Sequence, residues 1–165
     1  MLDSLRDFFR ECARDRRPEG AFQAVQFNNG SSSPVPYIPV NAAGLSPGMP
    51  YVCLRVPTGG GKTLLACYTA GLAMDKLMRA ERAVVLWLVP SNTILDQTAD
   101  ALRDARHPYR RALELACGAV EVVTIEEALR LSRATVEGRT VVIVGDVDAG
   151  DALELVRRAD LTIDF

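Results

Sequence analysis

An α/β fold built on a parallel sheet is what this sequence predicts, and three observations predict it. Apolar, β-branched runs of strand length, at residues 83–89 and 140–144 above all, lack the alternation of a sheet with one wet face, so both of their faces should be buried. Segments of helical periodicity separate these runs. A glycine triplet followed by lysine and threonine, Gly59-Gly60-Gly61-Lys62-Thr63, stands between the first short apolar run and the first long helix of the series. Right-handed crossovers then gather the strand-to-helix loops along one sheet edge, where ligands bind.

Taken in order, residues 1–27 form an N-terminal helical region. Leu2, Leu5, Phe8, Phe9, Cys12 and Ala13 recur at helical spacing among acids and arginines, and Pro18 with Gly20 is expected to end that helix. Residues 28–50 carry Asn28-Asn29-Gly30, three serines and prolines 34, 36, 39, 47 and 50, the composition of a long, mobile loop or linker. The core spans residues 51–144: a strand at 51–56, a helix at 62–79, a strand at 83–89, a helix at 91–106 and a strand at 120–123. Thr124-Ile125-Glu126-Glu127 is a capping box opening a helix to about residue 133, and a further buried strand follows at 140–144. Residues 145–165 form a tail, with a helix expected from Asp148 to Arg158.

The 165 residues suit one domain with a real core, and 48% hydrophobic with 24% charged residues is a folded composition. No apolar run reaches the length of a membrane helix, and the acidic N-terminus lacks the layout of a secretory signal, which predicts a cytoplasmic address. A net charge of −2 gives no global basic field for nucleic acid. Cys12, Cys53, Cys67 and Cys117 are far apart and His107 is alone, so a zinc site is not expected. Cys53 and Cys67 read as buried free thiols.

The segment Val56-Pro57-Thr58-Gly59-Gly60-Gly61-Lys62-Thr63 carries the most specific chemistry. Consecutive glycines let the backbone curl so that successive N–H groups face phosphate oxygens, and a helix starting at Lys62 adds its positive end. Lys62 can reach the β- and γ-phosphates of ATP, and the Thr63 hydroxyl can take one position on Mg²⁺. Of 19 basic residues only Lys62 and Lys76 are lysines, which marks Lys62 as a specific choice.

Residues 57–63 resemble motif I of superfamily 2 helicases and translocases. Leu86-Trp87-Leu88-Val89-Pro90-Ser91-Asn92-Thr93-Ile94-Leu95-Asp96-Gln97-Thr98 is similar to their motif Ia. With His107-Pro108-Tyr109 and Val122-Val123-Thr124-Ile125, the pattern over residues 51–144 resembles the helicase-like restriction subunit of type III restriction enzymes. The resemblance implies a RecA-like fold incomplete at its C-terminal end, ATP with Mg²⁺ held by Pro57 through Thr63, and DNA as a partner. It places Ser91, Asn92 and Gln97 near a nucleic-acid backbone and brings a modification methyltransferase subunit into view as a further partner. Ser91 also reads as a plain helix N-cap. Arg103, Arg106, Arg110 and Arg111 read as a solvated helix end or as phosphate contacts.

Departures from that family pattern matter as well. A motor needs an Asp-Glu pair to hold Mg²⁺ and align the attacking water, and no Asp-Glu dipeptide exists in this sequence. Asp146, after the run at 140–144, is the nearest substitute, while Asp148 has an ordinary use as an N-cap. The expected reading is therefore a truncated ATP-binding part of a DNA helicase. The alternative is an ATP-binding module or fragment without turnover.

Overall fold

The computed structural model describes residues 1–39 and 48–146. The chain separates into two compact units, Met1–Arg79 and Ala80–Phe165.

The first unit is built on α1 (Leu2–Asp15), which buries Leu5, Phe8, Phe9 and Cys12 and stops where Arg16 turns left-handed at φ 53°. Pro18 then begins a second helix, α2 (Pro18–Asn28), where the sequence suggests a stop. The physical reason is positional: a first-turn proline has its ring angle preset for a helix and lacks only an N–H that would have been unpaired. Ala21 and Val25 of α2 join the α1 residues in one core. Residues 51–56, expected as a strand, run extended but form no ladder among the described residues. Their exposure alternates, and Val52 and Leu54 pack on the α1–α2 core, so packing on helices replaces strand pairing. That alternation leaves Cys53 exposed, against the expectation of a buried thiol, whereas Cys67 is buried. After the glycines come α3 (Lys62–Leu72) and a π-helical continuation, Ala73–Met78, ended by Arg79 at φ 52°. The expected helix to residue 79 is thus present with a wider last turn. Both pieces pack on α1.

In the second unit β1 (Val84–Val89) leads to α4 (Asn92–Arg103) and α5 (Pro108–Cys117). Next come β2 (Val120–Thr124), α6 (Ile125–Ala128), α7 (Arg133–Gly138) and β3 (Thr140–Asp146). The three strands are parallel in the order β1-β3-β2, with Val84 beside Val141 and Val120 beside Thr140. Travel from β1 across to β2 and back to β3 reverses direction, so two right-handed crossovers put α4–α5 and α6–α7 on opposite faces. Packing agrees: Val123, Val141 and Ile143 meet Ala128, Leu131 and Val136 on the α6–α7 side. Val122, Val142 and Val144 point the other way and are also buried. The α/β parallel fold read from the sequence is present.

Three details differ from expectation. The helix after the capping box ends at Ala128, and the chain breaks before α7 in place of running on to residue 133. An unexpected α5 follows α4, opened by His107, whose ring nitrogen Nδ1 accepts from the Tyr109 N–H at 3.2 Å, and by Pro108 in the first turn. β1 is only partly buried, with Leu88 46% exposed, because it is an edge strand of the described sheet. The expected helix from Asp148 to Arg158 lies outside the described residues.

Candidate nucleotide-binding site

The glycine loop is a turn feeding a helix. The Gly60 N–H donates to the Pro57 carbonyl at 3.0 Å, with Gly59 in positive φ (78°) between them, the type II pattern that favours glycine. Gly61 is the N-cap of α3, also at φ 78°. A side chain at Gly60 would press on the Val56 Cγ1 methyl at 2.7 Å and the Pro57 carbonyl at 3.0 Å. The close curl therefore needs a residue without Cβ at its centre. Because Gly61 has no side chain, nothing caps the first N–H groups of α3, and the first helical bond is Leu65 N–H to Gly61 O at 2.9 Å. Lys62 lies back over the turn, its Nζ donating to the Val56 carbonyl at 3.1 Å and the Pro57 carbonyl at 3.2 Å. An ammonium has three donors, so one stays available while two brace the loop. Residues 57–62 are exposed, and Thr63 is half-buried in the first turn.

On the second unit, Ser91 is the N-cap of α4 by backbone geometry, but its hydroxyl makes no capping bond. Ser91, Asn92 and Gln97 are all exposed. The register sets Asp146 beside Val89. Asp146 and the Ser91–Asn92 pair therefore emerge at the same end of the sheet, the carboxyl ends of its strands.

The arginine cluster does something the sequence did not reveal. Arg103 Nε donates to the Val122 carbonyl at 3.1 Å and Arg110 Nη2 to the Val120 carbonyl at 2.9 Å. The Ala119 carbonyl points to Thr140 of β3, so those of Val120 and Val122 point outward from β2. The two guanidinium groups thus close the free edge of the sheet. Arg103 is also paired with Glu127, and Arg110 with Glu114 at 2.8 Å. Arg106 is paired with Asp104 at 3.6 Å. Expected as a solvated helix end or a phosphate contact, Arg103 at the end of α4 and Arg110 on α5, the helix unrecognised in the sequence, are internal fastenings on β2.

A family model described as type III restriction enzyme, res subunit, matches residues 41–145. The chain belongs to that family. No curated protein and no solved structure gives a match. The res-subunit match takes in the whole phosphate loop and Ser91, Asn92 and Gln97, begins ahead of residue 51 and ends one residue before Asp146. Among the described residues, no helix is long and apolar enough to cross a membrane.

Proposed function

We propose that this res-subunit chain binds ATP with Mg²⁺ through Pro57 to Thr63 and serves, in a complete protein, as the ATP-binding part of a DNA helicase or translocase. The observation that carries the reading is the uncapped start of α3 behind two positive-φ glycines, with Lys62 folded beside it. Unpaired N–H groups at a helix start attract an anion, and the lysine adds a full positive charge. Residues fit the group: the backbone of Gly61 to Thr63 would hold phosphate oxygens, and the Thr63 hydroxyl would ligate Mg²⁺. The metal, once bound, neutralises charge developing on the phosphates.

DNA as the second partner is supported by family membership and by the exposed, uncommitted polar side chains that open α4. Asp146 is the proposed acid for metal or water alignment; a cytoplasmic address and a methyltransferase partner belong to the same proposal. A second reading, nucleotide binding without turnover, is favoured by the lack of any Asp-Glu pair.

Titration of ATP·Mg²⁺ by calorimetry tests the core claim. Binding should be lost in Lys62→Ala, by about tenfold to a hundredfold for one charged hydrogen-bond donor. Binding equal to the wild type in that variant would sink the assignment. Phosphate release stimulated by DNA would favour the motor; binding with no release would favour the second reading.

A further inference from the structure

Between the α1–α2 core and the phosphate loop stands a side chain that neither the motif nor the family match explains. Tyr37 packs its ring against Phe8 and Phe22, with centroids 6.3 Å and 5.6 Å away. Its stretch of chain is pinned from below by Gln26, whose amide donates to the Val35 carbonyl at 2.9 Å and accepts from the Val35 N–H at 2.7 Å. The Tyr37 hydroxyl then accepts a hydrogen bond from the Tyr51 N–H at 2.7 Å. Tyr51 is the first residue of the extended run 51–56, in which Val52 and Leu54 rest on the same aromatic core. That run ends in the two carbonyls, Val56 and Pro57, that Lys62 grips. Burial pushes the Tyr37 phenol up from its ordinary value.

An extended run with no ladder partner among the described residues has little to fix its register. Two apolar contacts set which face is down but resist sliding weakly. A directional hydrogen bond at its first residue fixes where the run starts, and hence where Val56 and Pro57 arrive. We infer that Tyr37 is a positioning residue for the phosphate loop, holding the entry segment through the Tyr51 amide. The inference rests on the nucleotide-binding reading above.

The test is Tyr37→Phe in the full chain, which keeps the ring and removes the hydroxyl. ATP·Mg²⁺ affinity, the thermal unfolding midpoint and hydrogen exchange at the Tyr51 amide are all measured. Positioning gives an affinity about two- to tenfold weaker, the worth of one hydrogen bond, with the midpoint retained and the Tyr51 amide deprotected. Unchanged affinity overturns the inference, as does a Tyr51 amide that exchanges freely in the wild type. A midpoint that falls together with affinity overturns it too, since that is general destabilisation. If the wild type binds no ATP, the nucleotide reading fails and the inference with it. Tyr51 protection, read independently, then shows that the failure lies in the nucleotide reading and not in the hydrogen bond.

Discussion

Lys62 illustrates how much a residue's place in the chain can disclose by itself. Its neighbours in the motif are its neighbours in space, so spacing alone exposed the loop, its glycines and the helix behind it. Cys53 shows the opposite. Its apolar neighbours suggested burial, yet a two-residue period decided its side, and Val52 and Leu54 took the inner face. The consequence is a sharp difference in thiol reactivity. Burial pushes Cys12 up to about 12 and Cys117 up to about 11, so both stay protonated thiols, and Cys67 is fully buried. Cys53 is expected to take up one equivalent of iodoacetamide at pH 8 while the other three react only on unfolding. Peptide mass spectrometry after brief labelling checks this; equal labelling of Cys12 or Cys117 would contradict the burial pattern.

At the scale of elements, the capping box at α6 was legible because it is a four-residue signal, and both of its bonds are present. The Thr124 N–H, donating to the Glu127 carboxylate at 2.7 Å, and secondly the paired Arg103 hold that carboxylate below its usual range. A depressed carboxylate contributes stability that is complete above its unfolded-state value and is lost as pH falls through its folded-state value. Glu127→Gln should therefore flatten the acid limb of the stability profile below about pH 4 and change little near neutrality beyond a small constant loss. With that side chain 49% exposed, solvent screening keeps the effect small. Thermal unfolding across that interval, wild type against variant, provides the measurement. Helices α2 and α5 are hidden in the sequence for a shared reason. Pro18 and Pro108 read there as a breaker and a motif letter, although both occupy the first turn, where proline starts a helix.

For the whole molecule, the parallel sheet was visible in its continuous valine-rich runs, and the order β1-β3-β2 was not, because pairing depends on partners far apart in the chain. The fastening of β2 by Arg103 and Arg110 was equally hidden, since its acceptors are backbone carbonyls that carry no sequence signature. Arg103→Ala with Arg110→Ala is expected to cost on the order of 1–3 kcal/mol and to raise self-association through the freed edge, with ATP binding retained. Sedimentation and chemical denaturation measure the two effects. A variant as monomeric and as stable as the wild type would leave the arginines without a structural task.

That asymmetry gives the sheet a direction. On one flank guanidinium groups occupy the outward carbonyls of Val120 and Val122; along β1, no comparable side-chain bond appears among the described residues. Among the described residues of this unit, a further strand can extend the ladder without breaking existing side-chain bonds only beyond Val84–Val89, so β2 is the sealed flank and β1 the receptive one.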